Sequence, residues 1–143
     1  MITSNLKKWR RNAGMTILEI LVVLSIIAMI AAVVGPRLIG YLGKAKSETA
    51  GLQIKQLGNA VQLFYIDMGR YPTGAEGLSV LMQAPAGEAA WAGPYMQSGE
   101  ALMDPWGRDY LYTEPANGGE FGIKSLGRDG TQGGSGEDTD LAL

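Results

Sequence analysis

One stretch constrains this chain more than any other. From Met15 to Val34 the sequence is almost wholly apolar and holds a single charged residue, Glu19. Wound as a helix, residues 15–35 would measure roughly 30 Å, about the thickness of a bilayer's hydrocarbon core. Lys7, Lys8, Arg10 and Arg11 stand just before it. Basic residues ahead of a first span keep that end in the cytoplasm, so the rest of the chain is sent across the membrane. Two alternatives compete. A secretory signal has an apolar core of about 7–15 residues and closes on an Ala-x-Ala-like site; this run is longer and no clean site follows it. A buried core helix rarely runs so far without polar relief. A permanent span fits length, flank and composition together.

Within that span Glu19 carries the most information. An ionised carboxylate in lipid costs on the order of a few kcal/mol and normally has a partner or a function. It can also sit shallow and reach the headgroups, but that leaves the abrupt boundary at Gly14-Met15 unexplained. A short basic leader ending in Gly14, followed by Met15-Thr16-Ile17-Leu18-Glu19, resembles the class III signal of type IV pilins and pseudopilins. The resemblance implies cleavage between Gly14 and Met15 by a prepilin peptidase on the cytoplasmic side. It further implies methylation of the new amine at Met15, and a role in assembly for Glu19, the fifth mature residue. Family members usually begin with Phe. Met15 is also large and apolar, so processing is expected to survive.

The precursor's 143 residues suffice for this helix and one small domain. Having no Cys, the chain has no disulfide and no thiolate chemistry; having no His, it lacks the commonest general base and transition-metal ligand. Enzymatic function is disfavoured. The formal charge is −2, and loss of the leader removes four more cations. An acidic mature domain argues against nucleic acid as a partner.

Beyond the apolar run, Ala50, Ile54, Leu57, Val61, Phe64 and Tyr65 recur at helical spacing. One helix is predicted from about Met15 to about Asp67, apolar all round in its first half and amphipathic in its second. The first half needs lipid or other helices around it; the stripe needs the chain's own globular part. Pro36 should kink or locally open the helix, and Lys44 and Glu48 are spaced to pair. Gly69 suits the C-cap and Pro72 ends any continuation. Residues 78–82 are a short helix candidate and 84–101 should be mostly loop. Asp104-Pro105-Trp106-Gly107 reads as a turn, with Trp106 expected in the core. Strands are predicted to begin at 109–112 and to run over 119–125, with Asn117-Gly118 as the hairpin turn. The Tyr71-Pro72-Thr73 and Asp104-Pro105-Trp106-Gly107 tracts also resemble major pseudopilins of type II secretion.

The tail from Ser125 to Leu141 is Gly-rich and acidic. Composition alone is compatible with a solvated loop. It is also compatible with calcium, which takes 6–8 oxygen ligands, and Asp129, Asp138 and Asp140 are candidate carboxylates; the spacing is not an EF-hand. Leu126-Gly127-Arg128-Asp129-Gly130, then Gly133-Gly134 and Asp138-Thr139-Asp140, resemble the calcium-binding tail of major pseudopilins. That likeness implies Asp129, Asp138 and Asp140 as side-chain ligands and Leu126 through its carbonyl. The chain ends at Leu141-Ala142-Leu143, without the aromatic closing residues of many relatives.

The expectation is an α+β, pilin-like protein. Residues 1–14 form the cleaved leader, 15–38 the transmembrane and assembly helix, and 39–143 a periplasmic domain with a small antiparallel β-sheet and a calcium loop. The resemblance implies a single-pass inner-membrane protein that polymerises with itself, with other pseudopilins and on an inner-membrane platform into a periplasmic pseudopilus for type II secretion. A type IV pilus subunit is the alternative within the class, although many of those carry a Cys pair. A membrane-anchored calcium-binding module acting as a monomer is the alternative outside it.

Overall fold

The computed structural model of the chain describes residues 15–116 and 118–143. The basic leader, the cleavage position at Gly14 and Asn117 of the predicted hairpin turn lie outside the described residues.

One helix, α1, covers Ile17–Met68, within two residues of the predicted limits. Its start is capped by Thr16, whose Oγ1 accepts the Glu19 amide at 3.2 Å. Its end is closed by Gly69 at φ 68°, whose amide donates to the Tyr65 carbonyl at 2.8 Å. A side chain would be strained at that left-handed position, which is why glycine stops the helix there. Pro36 lies inside α1, and the helix runs unbroken through it. Contacts within the chain part between Leu38 and Ile39.

Before that boundary the apolar side chains have no cover from the other described residues. Ile17 is 81% exposed and Met29 is 77% exposed, and none of the most apolar 18-residue window is buried. By length and composition this part of α1 is able to cross a membrane.

From Ile39 onward the chain builds its own core. The 3.6-residue period puts Ala50, Ile54, Leu57, Val61 and Phe64 on one buried face, joined by Ala60. All but Ala50 pack with Leu78, Val80 and Leu81 from a 3-10 turn at Gly77–Leu81, and with Tyr110, Phe121 and Ile123. Tyr65, expected on that stripe, is 42% exposed and stacks on Tyr71 at 4.4 Å between ring centres. It marks the edge of the buried face, where a ring finds another ring more readily than a core pocket.

The sheet has three short antiparallel strands: β1 (Leu111–Thr113), β2 (Gly122–Ser125) and β3 (Leu141–Ala142), in that order. Tyr112 pairs with Ile123, and Ser125 with Leu141. Asp109, expected at the start of β1, instead bridges to Met103. Residues 84–101 are mostly loop, with a 3-10 turn at Gly99–Leu102. β3 was not foreseen, and it matters for the tail: pairing β3 to β2 anchors residues 126–140 at both ends.

Trp106 is not a core residue. It is half-buried, and its indole N–H donates to Glu137 Oε1 at 2.9 Å. An indole has one donor, and a site that satisfies it at the edge of a small domain leaves the ring only partly covered.

Candidate functional site

Met15 and Thr16 lead into α1 and Glu19 lies in its first turn, with Met15 and Glu19 exposed. A carboxylate in a first turn is favoured by the helix dipole. Among the described residues the Glu19 carboxylate has no hydrogen-bond or ion-pair partner. It is therefore an acceptor on an apolar helix with nothing among the described residues to neutralise it.

The C-terminal loop is built around groups that spacing alone did not single out. Asp104 is buried. Its Oδ1 accepts the amides of Trp106 and Arg108 at 3.0 and 2.9 Å, and its Oδ2 accepts the Ser125 hydroxyl at 2.7 Å. One carboxylate thus folds the Asp104–Arg108 turn and ties it to the end of β2, where the loop begins. Arg108 continues the clamp, donating to the carbonyls of Gly127 at 2.8 Å and Arg128 at 2.7 Å. The backbone closes tightly on the other side. A Cβ at Gly127 would meet the Asp138 carbonyl at 2.9 Å, and one at Gly134 would collide with the same carbonyl; both glycines have positive φ, 65° and 89°. Glu137 lies over Gly43 of α1 and accepts from Trp106.

The predicted ligands stand as follows. Leu126 follows β2 directly and is half-buried. Asp129 accepts the Thr131 amide at 3.0 Å and the Thr131 hydroxyl at 2.8 Å, and these two bonds hold its carboxyl below the usual range. Asp140 Oδ2 takes Lys124 Nζ at 2.9 Å and the Gly133 amide at 3.1 Å; the Lys124 contact is the main cause of its lowered pKa. Asp140 Oδ1 is buried without a partner. Asp138 has both oxygens on Arg128, at 2.8 Å to Nε and 2.9 Å to Nη2. Among the described residues no group of three acidic side chains converges closely enough to hold a metal. The donor chemistry of Asp129, Asp140 and the loop carbonyls fits a hard, oxygen-seeking cation. Asp138, as it lies, is engaged elsewhere.

Sequence reasoning missed Asp104, Arg108 and the Arg128–Asp138 pair, since each acts across the fold. A signal did exist for Thr73-Gly74-Ala75-Glu76. The spacing is that of a capping box, and the reciprocal bonds form across a turn: Glu76 Oε2 accepts the Thr73 amide at 2.8 Å, and the Glu76 amide donates to Thr73 Oγ1 at 3.3 Å.

A long apolar N-terminal helix with one carboxylate in its first turn, continuing as the core helix of a small antiparallel domain, defines the pilin-like class. Residues 9–35 match the prokaryotic N-terminal methylation motif. Residues 37–143 match the family described as type II secretion system (T2SS), protein G, and the chain belongs to that family. The type II secretion system core protein G of Xanthomonas campestris pv. campestris is 38% identical over 130 residues, covering 91% of this chain and 88% of that one. Its counterpart in Vibrio cholerae is 35% identical over 139 residues, covering 95% and 94%. The crystal structure of the major pseudopilin from the type 2 secretion system of enterohaemorrhagic Escherichia coli matches with a TM-score of 0.57 at 26% identity, over 73% of this chain and 87% of that one. The family is one of structural subunits, not enzymes.

Proposed function

We propose that this chain is the repeating subunit of a type II secretion pseudopilus, released from a precursor by cleavage between Gly14 and Met15 and methylated at Met15. Residues 15–38 hold it in the inner membrane as a single span, and residues 39–143 face the periplasm. One observation carries the reading: α1 buries the core stripe in its second half and leaves its apolar first half wholly exposed. Such a surface is stable in lipid or among copies of itself, and nowhere in water. Passing from lipid to a helical polymer therefore exchanges one apolar surrounding for another. Glu19 supplies the register. Its carboxylate pairs with the methylated amine of a neighbour's Met15; an ion pair in low dielectric adds little net stability but strongly penalises misplacement.

The partners this requires are other copies of the chain, other pseudopilins, an inner-membrane assembly platform and a prepilin peptidase. Calcium, when bound, supplies a positive centre for Asp129 and Asp140. The chain's own contribution is to hold that loop closed, through Asp104, Arg108 and the β2–β3 pairing.

The test is Glu19→Val in cells whose secretion depends on this chain. The variant is expected to insert and be cleaved, since the span becomes more apolar, while assembly and export of secreted protein collapse. Normal export with the variant would contradict the assembly role. Filament-independent function would favour the monomeric membrane-anchored module.

A further inference from the structure

Where the apolar run gives way to the domain, α1 carries a second pattern. Between Glu19 and Glu48 the sequence holds three charged residues, Arg37, Lys44 and Lys46, all cationic and all beyond Pro36. Ile39, Tyr41 and Leu42 stand among them, and Tyr41 is 71% exposed. Gly43, in the same turn, is buried beneath Glu137. The domain thus covers one side of this turn and leaves Tyr41, Leu42, Lys44 and Lys46 outside. Among the described residues Lys46 has no ionic contact and Lys44 has one, to Glu48 Oε1 at 3.8 Å between two exposed groups. Such a pair is too weak to keep a lysine from a better acceptor.

We propose that residues 39–46 dock on the membrane surface, with Tyr41 at the edge of the hydrocarbon and the Lys44 and Lys46 ammonium groups on anionic phospholipid phosphates in the leaflet on the domain's side. The proposal rests on the reading of residues 15–38 as a span. Length supports it. The Glu19 carboxylate belongs among the headgroups of the opposite leaflet until a partner neutralises it. Counted from there, residues 20–39 are the roughly 20 that a hydrocarbon core requires. Tyr41 then falls where amphipathic rings collect, at the boundary between membrane and water. Lys44 and Lys46 follow about 8–10 Å past the hydrocarbon, close enough for their long stems to reach back to the phosphates. Arg37, near the end of the span, can raise its guanidinium to the same layer. Charge selects the lipid. Basic residues beside a span are drawn to anionic headgroups by an attraction that fades within a Debye length. The contact fixes the depth at which an unassembled subunit waits, and entry into a polymer has to release it.

The chain has no Cys, so one introduced Cys carries a nitroxide spin label at a unique place. The full chain is labelled at Leu42→Cys, Gln62→Cys or Met29→Cys in turn and reconstituted sparsely in vesicles of phosphatidylethanolamine, with or without phosphatidylglycerol. Collision of the label with oxygen and with a neutral, water-soluble nickel chelate reports its depth. At position 42 the chelate collision rate is expected to be several-fold below that at position 62, and to fall about twofold further when phosphatidylglycerol is added. Lys44→Gln combined with Lys46→Gln should abolish that further fall, as should about 1 M salt, where the Debye length is about 3 Å. The helical circular dichroism of that double variant should match the parent, since both lysines are exposed. Equal chelate access at positions 42 and 62 overturns the docking. A depth at 42 indifferent to phosphatidylglycerol or to the two lysines overturns the phosphate contact. Dipolar broadening between labels at 42 on separate copies assigns the face to a second copy and overturns lipid as its occupant. Free chelate access at position 29 contradicts the span itself, and the docking with it.

Discussion

Asp104 shows how much one buried carboxylate organises. It accepts two amides and a hydroxyl. Asp104→Ala leaves the Ser125 hydroxyl and two amides without their acceptor and is expected to cost about 3 kcal/mol, read as a fall in denaturation midpoint. Glu76 carries the clearest pH dependence. The Arg70 guanidinium at 2.8 Å, helped by the Thr73 amide, lowers its pKa from an ordinary 4.5 to about 2. A carboxyl lowered on folding stabilises the native state above its unfolded pKa and loses that contribution as pH falls through the folded value. The parent should therefore exceed Glu76→Gln in stability by about 1–2 kcal/mol at neutral pH, a modest figure because solvent screens the partly exposed Arg70. Melting curves should show the gap closing between pH 4.5 and about 2. A gap independent of pH would remove the ion pair from the account. The Thr73–Glu76 pair had a signal in its spacing that went unread. The Arg70 contact had none, because a loop geometry brings it in.

At the scale of elements, α1 was legible almost to the residue because its signal is repeated many times over: a long apolar run, a 3.6-residue stripe, and Gly69 at the close. β1 and β2 were found through their aromatic and β-branched residues, with boundaries off by a few positions. β3 is two residues long, too short for any alternation to show, and it forms only because β2 offers an edge. Trp106 was misplaced because size argues for the core while its single N–H, which found Glu137, argues for the edge. In the C-terminal loop the residue types were readable and their pairing was not, since Arg128 and Asp138 meet only after the backbone has turned. The tightness of that turn is testable. Gly134→Ala puts a Cβ into the Asp138 carbonyl at a backbone angle of φ 89°. It should destabilise the domain by about 2 kcal/mol or more in urea melts, and the helical circular dichroism of α1 should remain. Unchanged stability would mean the loop is looser than its packing indicates.

For the whole molecule, the two ends of the chain serve different demands. The apolar first half of α1 is a surface in search of surroundings, and membership of the protein G family gives it a pseudopilus. The domain after Ile39 has a complete core of its own. Calcium is expected to act on this domain alone: if Asp129 and Asp140 hold the ion, the Tm should rise with the logarithm of its concentration, by an amount equivalent to about 2.7 kcal/mol at 100-fold over its Kd. Mg²⁺ at equal concentration should do far less, since it gives up its waters reluctantly. Equal responses to the two ions would point to general screening.

The central claim is that a precursor becomes an assembling subunit by a cut that places a methylated amine four residues ahead of Glu19. Intact-mass and N-terminal peptide spectrometry of the chain purified from membranes of its own host tests this most directly. The account predicts a chain beginning at N-methylated Met15, and an uncleaved precursor when Gly14 is changed to Val. A mature protein that still carries Lys7–Arg11, or one cut beyond Val34 as a secretory signal would be, would contradict it.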